Sequence, residues 1–308
     1  MKCLILGGGG FVGAHLCEAL VAGGHAVTVF ERPRVQRVLP PDIDSRLTWV
    51  EGDFTNSRDL EAVVADSEVI FHLVSTTLPK NSNDNPVYDV ESNLVGTLRL
   101  LDLVRAGPKK RIVFASSGGT VYGRPSVVPI SEGHETDPIC SYGIHKLAIE
   151  KYLNLYRALY GLDYVVLRLA NPFGERQRHV AAQGVIPVFL HKAMQGESIE
   201  IWGDGGVVRD YVYIKDAIRA FVRAMDHAGQ PRIFNVGSGR GLSLNDILDQ
   251  AERLLGRPIE RVYQPARKFD VPVNVLDISL ARVHLGWRPQ VSFEEGLANT
   301  YRWMLDHI

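Results

Sequence analysis

The sequence predicts an α/β fold: a doubly wound parallel sheet covered by helices on both faces, with a smaller C-terminal α/β lobe. Three observations carry that expectation. An apolar strand runs into a glycine turn and then a helix across Cys3 to Gly13. Apolar runs then alternate with helical segments as far as Leu169. Past that residue the loops lengthen and Gly, Pro and Asn become more frequent. Strands separated by helices pair in parallel, because each return crosses over a sheet face and covers it.

In chain order, strands are expected at Cys3–Leu6, Ala26–Phe30, Leu47–Val50, Val69–Leu73, Arg111–Ala115 and Tyr164–Leu169. Helices are expected between them at Phe11–Gly23, Ser57–Ala65, Val87–Ala106 and Ser141–Tyr160. Val208–Tyr213 and Arg232–Val236 look like further strands that return to the sheet. The remaining stretches, about 171–207 and 240–308, read as the smaller lobe. Ligands of such sheets bind beyond the carboxyl ends of the strands, where Gly7, Glu31, Asp53, His72, Ser116 and Asn171 fall.

Gly7, Gly10 and Gly13 stand three residues apart at the first turn. Glycines so placed allow a tight reversal, close approach of backbone to a pyrophosphate, and close packing of helix on strand. The free N–H groups and dipole at the helix start then favour phosphate charge. A dinucleotide is the expected ligand. Glu31 ends the second strand, where a carboxylate accepts from an adenosine ribose and repels a 2′-phosphate, favouring NAD over NADP. Arg32 follows directly and could instead hold that phosphate. Asp53 is placed to accept from an adenine amine, with helix capping as the rival role. His72 ends an apolar strand and reads as a core histidine.

Composition narrows the field. The 308 residues carry 34 basic and 35 acidic side chains, without a basic block of the kind that marks a nucleic-acid footprint. No apolar run reaches the roughly 20 residues that span a bilayer. Glycines interrupt the first apolar segment, unlike a signal peptide, so a cytoplasmic location is expected. Cys3, Cys17 and Cys140 are few, odd in number and spaced unlike metal ligands, which fits a reduced compartment and no metal.

Tyr142-Gly143-Ile144-His145-Lys146 opens the helix after the fifth strand. Its spacing puts a phenol and an ammonium on one helical face, an arrangement that lets tyrosine act as a base. Tyr211 and Lys215 repeat the spacing, but on a strand-like segment whose side chains need not meet. Ser116-Ser117-Gly118-Gly119-Thr120-Val121-Tyr122-Gly123 supplies a hydroxyl-rich loop upstream of the first pair.

Together with that loop, Gly7/Gly10/Gly13, Asp53 and Tyr142/Lys146, the chain resembles the extended short-chain dehydrogenase/reductase family. Within it, the likeness is greatest to the UDP-glucose 4-epimerases and related nucleotide-sugar epimerases. It extends through Asn93-x-x-Gly-Thr, Arg168-Leu-Ala-Asn171-Pro-Phe-Gly174, Arg209-Asp210-Tyr211, Asn235-Val-Gly237-Ser-Gly239 and Arg267-Lys-Phe-Asp270. The resemblance implies a Rossmann-type NAD-binding domain over 1–170 plus about 208–239, and a nucleotide-sugar lobe over 171–207 and 240–308. It implies a cofactor site of Gly7, Gly10, Phe11, Val12, Glu31, Asp53, Phe54, Leu73, Ser116, Tyr142 and Lys146. Tyr142 is then the base, and Lys146 orients it and holds the nicotinamide ribose. The resemblance also implies a UDP-sugar substrate and a homodimer formed through the helices Val87–Ala106 and Ser141–Tyr160.

On the substrate side it implies diphosphate ligands at Arg209, Arg267 and Asn171, uracil stacking by Trp202, and a ribose acceptor at Asp270. Thr120, Val185 and Tyr211 complete the expected substrate contacts. Asn274 takes the place of a gating tyrosine found in glucose-restricted members, so N-acetylhexosamines are also expected to fit. One departure stands out. The family's third loop serine is Gly118 here, which leaves Ser117 or Thr120 to supply the hydroxyl, with Ser117 preferred. Gly119-Thr120 replaces the Asp-Glu of the family's dehydratases and argues against loss of water. A keto-sugar reductase and a non-catalytic NAD(H) sensor are the remaining rivals.

Overall fold

Seven parallel strands form the main sheet of the chain, whose computed structural model describes residues 1–178, 184–266 and 271–307. The first half comprises β1 (Lys2–Leu6), α1 (Phe11–Ala22), β2 (Ala26–Glu31), α2 (Pro41–Asp44), β3 (Leu47–Glu51), α3 (Ser57–Ala65), β4 (Val69–His72), α4 (Pro86–Asp89), a π-helical turn (Val90–Val95), α5 (Gly96–Ala106), β5 (Arg111–Ser117) and α6 (Ser141–Tyr160). The second half continues with β6 (Asp163–Leu169), β7 (Asn171–Phe173), α7 (Val185–Gln195), β8 (Ile199–Trp202), β9 (Val208–Tyr213), α8 (Ile214–Asp226), β10 (Ile233–Val236), β11 (Gly241–Ser243), α9 (Leu244–Leu255), β12 (Arg261–Gln264), β13 (Val273–Asn274), α10 (Ser279–His284) and α11 (Phe293–His307).

The strand order of the main sheet is β10-β6-β5-β4-β1-β2-β3. Its direction of progress reverses between β1 and β4, the place where a doubly wound sheet opens a crevice for a ligand. Both faces are covered. Cys3 and Ile5 of β1 join a core with Leu16, Cys17 and Leu20 of α1 and Phe221 of α8. Leu4 and Leu6 point the other way, into a core with Leu60, Leu101 and Ile149 from α3, α5 and α6. The period of two along β1 therefore feeds two cores at once. Each fully buried aliphatic or aromatic side chain stabilises the fold by about 1.5–3 kcal/mol relative to exposure.

Two expectations are corrected. Val208–Tyr213 does not return to the main sheet: β9 sits in a smaller sheet with β7, β11 and β13. The free edge of β6 is taken by β10, so β9 pairs instead with β7, which follows β6 directly. Val87–Ala106 is not one α-helix but a short helix, a π-helical turn and α5. The Asn93 amide turns inward and donates to the Asp89 carbonyl at 2.9 Å, and the Thr97 hydroxyl donates to the Asn93 carbonyl at 2.6 Å. Such π-turns are often found at functional sites.

The chain leaving β7 crosses back onto the cofactor half. His15 on α1 meets the Glu175 carbonyl at 2.9 Å, and Arg176 pairs with Glu18 at 2.8 Å. Arg176 holds a left-handed backbone at φ 64° to make that crossing.

Candidate active site

A cleft of about 690 Å³ opens at the switch point between β1 and β4. Its lining includes Gly7, Gly10, Phe11, Glu31, Asp53, Phe54 and Leu73, seven of the residues expected to meet the cofactor. Gly7 takes φ 89°, a turn that L side chains rarely adopt, and a Cβ on Gly13 would collide with the Gly7 carbonyl. Among the described residues no side chain caps the start of α1, so its N–H groups remain for a ligand's phosphate. Val12 lies in the same first turn, half-buried. The Glu31 carboxylate accepts from the Gly9 N–H at 3.1 Å and the Arg32 N–H at 3.1 Å. This donor set, with its glycine cradle and a carboxylate at the end of β2, fits an NAD-type dinucleotide.

Asp53 accepts from the Thr55 amide and hydroxyl, each at 2.8 Å, in an Asx turn at the cleft wall. The capping role weighed for Asp53 belongs to Asn56, whose side chain accepts from the Arg58 N–H at 3.2 Å. His72 is a core residue, 2% exposed, with Nε2 2.8 Å from the Thr97 hydroxyl.

Helix α6 delivers Tyr142 and Lys146 beside the end of β5. The Lys146 ammonium donates to the Ala115 carbonyl at 3.0 Å and lies 5.5 Å from the Tyr142 ring centre. Burial lowers its pKa to about 8, against the opposing pull of Asp89 and Glu150. Burial likewise pushes the Tyr142 phenol up to about 12, although the neighbouring Ser75 side chain works the other way. Ser75 also lines the cleft, so the phenol borders the dinucleotide site. Tyr211 and Lys215 do not form a second such pair, since Lys215 reaches Glu175 at 3.3 Å instead.

Ser117 closes β5, half-buried. A Cβ on Gly118 would come within 2.5 Å of Leu276 Cδ1, so the space of the missing serine is filled from the second lobe. Asn274 is 1% exposed, and its amide donates to the Gly118 carbonyl at 3.2 Å. Thr120 packs against Gly143, next to Tyr142, and its buried hydroxyl has no partner among the described residues. Ser116 departs from expectation. Its hydroxyl donates to Glu150 at 2.5 Å rather than facing the cleft. Glu150 in turn pairs with Arg168 at 2.6 Å, and Arg168 donates to the Tyr122 hydroxyl at 2.9 Å. Tyr122 donates to Asn235 at 2.7 Å.

On the far side, Asn171 donates to the Asp210 carbonyl at 2.9 Å. The Asp210 carboxylate gathers the Ser238 N–H and hydroxyl, each at 2.7 Å, and the Gly239 N–H at 3.1 Å. Arg209 donates to the carbonyls of Val208 at 2.8 Å and Val271 at 2.6 Å. Trp202 ends β8 with 41% of its surface exposed, and Val185 begins α7, half-buried. Tyr211 is 7% exposed and packs 6.2 Å from the Phe293 ring, lining a second groove rather than the cleft. Arg267 and Asp270 lie outside the described residues.

Sequence reasoning missed Asp89 and His145. They meet at 2.9 Å, at 0% and 1% exposure, across 56 residues of chain, and no local pattern pairs them. Among the described residues, no cluster of three or more His, Cys, Asp or Glu could hold a metal ion, and no helix is long and apolar enough to cross a membrane.

Comparison with known proteins agrees with this geometry. The model of the NAD dependent epimerase/dehydratase family matches residues 3–237. The UDP-glucose 4-epimerase of Mycolicibacterium smegmatis is 37% identical over 305 residues, covering 97% of each chain. Among solved structures, the UDP-glucose 4-epimerase of Thermotoga maritima with UDP-glucose superposes with a TM-score of 0.93 at 35% identity, covering 99% of each chain. That of Thermus thermophilus in complex with NAD gives 0.91 at 31% identity, covering 100% of each chain.

Proposed function

The chain belongs to the NAD dependent epimerase/dehydratase family, and from that premise we propose that it is an NAD-dependent 4-epimerase of UDP-sugars. UDP-glucose and UDP-galactose are its expected pair. The observation that carries the reading is Tyr142 and Lys146 together on α6, with the phenol close to Ser75, a residue of the cleft lining. Gly7, Gly10, Phe11 and Val12 would hold the cofactor's phosphates, Glu31 the adenosine ribose, and Asp53 the adenine, with Phe54 and Leu73 lining the same cleft. The bound cofactor supplies reversible hydride transfer at C4, so a transient 4-keto sugar links the two epimers.

The protein's own part is positioning and proton transfer. Tyr142 takes the proton of the C4 hydroxyl and later returns it. Lys146 lowers the energy of the phenolate and holds the nicotinamide ribose. Ser117 contacts the sugar in place of the residue absent at Gly118, with the unpartnered Thr120 hydroxyl close by. Arg209, Arg267 and Asn171 grip the diphosphate, Trp202 stacks on the uracil, and Asp270 accepts from its ribose. With the nucleotide held, the sugar alone turns over, and its reacting atoms stay within contact distance.

The purified protein is expected to convert UDP-galactose to UDP-glucose with no added dinucleotide, followed through a coupled UDP-glucose assay. Absence of product even with NAD supplied would sink the reading. Steady consumption of reduced cofactor would make the protein a reductase instead.

Asn274 is smaller than tyrosine and sits against the Gly118 loop, which favours acceptance of N-acetylhexosamines. Asn274→Tyr is expected to lower turnover of UDP-N-acetylglucosamine relative to UDP-glucose by about tenfold, the scale on which pocket size discriminates. An unchanged ratio would remove Asn274 from the gate.

The protein is also proposed to work as a cytoplasmic homodimer. Buried free thiols at Cys3 and Cys17 support a reduced compartment. Exposed Val87 and Tyr88 on α4, and exposed Ile144, Leu155 and Leu159 on α6, offer apolar surface for a second copy. Sedimentation at the 34.2 kDa mass of one chain would refute the dimer.

A further inference from the structure

We propose that the buried Asp89–His145 pair is a positioning device for the Tyr142 phenol, acting through the Nδ1–H form of the histidine ring. The proposal rests on Tyr142 being the reacting phenol. His145 stands three residues beyond Tyr142 on α6, and the two rings meet edge to face with centres 5.1 Å apart. His145 Nδ1 lies 2.9 Å from Asp89 Oδ2. The same oxygen accepts from the Ser141 hydroxyl at 2.6 Å. Asp89 Oδ1 accepts from the Thr77 hydroxyl and from the Asn93 amide, the latter at 3.2 Å.

A carboxylate ringed by donors stays ionised. Burial opposes the charge on Asp89, but the hydrogen bonds from Ser141, Thr77 and His145 outweigh it and hold its pKa below the usual value. Facing an ionised oxygen, the ring nitrogen must donate, which places the proton on Nδ1. Burial, with the Lys146 ammonium nearby, lowers the His145 pKa to about 4 and keeps the ring neutral. Nε2 is buried and has no partner among the described residues. The contact with Asp89 is therefore the one hydrogen bond that sets how the ring is turned.

Asp89 also reaches the other side of the phenol. The Ser75 side chain stands close to the Tyr142 hydroxyl, Ser75 donates to the Thr77 carbonyl at 3.0 Å, and the Thr77 hydroxyl donates to Asp89. The ring of Tyr142 through His145, and its hydroxyl through Ser75, thus trace to one carboxylate. The π-helical turn aims that carboxylate, because the Asn93 amide inside the turn grips both the carbonyl and the side chain of Asp89.

The test sets His145→Asn and His145→Gln against Ser141→Ala. An asparagine amide nitrogen falls near the place of Nδ1, whereas glutamine's extends toward Nε2 and leaves Asp89 short of a donor. His145→Gln is expected to lower kcat by at least about tenfold with KM for the sugar nucleotide little changed, as a misplaced reacting group does. His145→Asn restores the donor to Asp89 but not the ring edge against Tyr142, so its kcat is expected to fall between that of His145→Gln and that of the unaltered protein. Ser141→Ala removes a donor from the same oxygen without touching the Tyr142 ring, and its kcat should hold within about threefold, whatever its melting temperature. Equal losses in all three variants, in step with lost stability, would reduce the pair to a structural anchor and overturn the proposal. Ring ¹⁵N spectra of the substrate-free protein give a second judgement that needs no turnover. They should show Nδ1 protonated and Nε2 bare from about pH 6 to about pH 8, and the proton on Nε2 would overturn the proposal equally. A protein that turns over no UDP-sugar would defeat the proposed reaction, while those spectra would still judge the pair.

Discussion

Tyr142→Phe is expected to cut turnover at least about a hundredfold, the lower end of what a positioned acid–base group contributes. The substitution keeps the ring and its packing on His145 and removes only the oxygen that exchanges a proton with the sugar. Burial has already pushed that phenol up to about 12 in the substrate-free site. Bringing it near neutrality requires roughly 7 kcal/mol of preference for the phenolate, at about 1.4 kcal/mol per pKa unit. The Lys146 ammonium, 5.5 Å from the ring centre, and the positive ring of an oxidised nicotinamide carry charge of the sign that supplies it. Affinity for the dinucleotide should remain, because Gly7, Phe11 and Glu31 are untouched. A variant turning over at a near-native rate would remove Tyr142 from the reaction.

Glu150→Ala is expected to destabilise the fold by about 3–5 kcal/mol, the scale for orphaning one member of a buried ion pair. Arg168 is 3% exposed, and the substitution leaves its guanidinium with the Tyr122 hydroxyl at 2.9 Å and the Glu132 carbonyl at 3.4 Å. The Ser116 hydroxyl loses its acceptor as well. Against a total of about 5–15 kcal/mol for an ordinary protein, this is a large share. Urea unfolding gives the measurement, and a loss below about 1 kcal/mol would show that the pair contributes little. Glu150→Leu combined with Arg168→Met should recover much of the stability, since an apolar pair leaves no charge stranded.

What the sequence made legible follows from local physics. Ser141–Tyr160 reads as a helix end to end because its apolar spacing and its Gly161 stop are both local. The glycine turn, Glu31 and the Tyr142/Lys146 spacing were legible for the same reason. Val208–Tyr213 was legible as a strand but not as a member of the smaller sheet, because alternation reports which faces are buried and not which edge is free. The π-helical turn escaped because it depends on one amide, that of Asn93, turning inward. Ser116 was misread at the side-chain level. Its acceptor, Glu150, is 34 residues away, and only the packed fold shows that the hydroxyl points there. Asp89 and His145 escaped for that reason too.

The crossing at Arg176, tied to Glu18, has a kinetic corollary. Arg176, Gln177 and Arg178 line the same crevice as the glycine turn, although they follow β7 and not β1. We propose that a dinucleotide seated there would meet chain from both halves of the sequence, and that this contact would slow its release. On that reading, the reducing equivalent withdrawn from one sugar would be handed back to that same sugar, with no outside reductant to draw on.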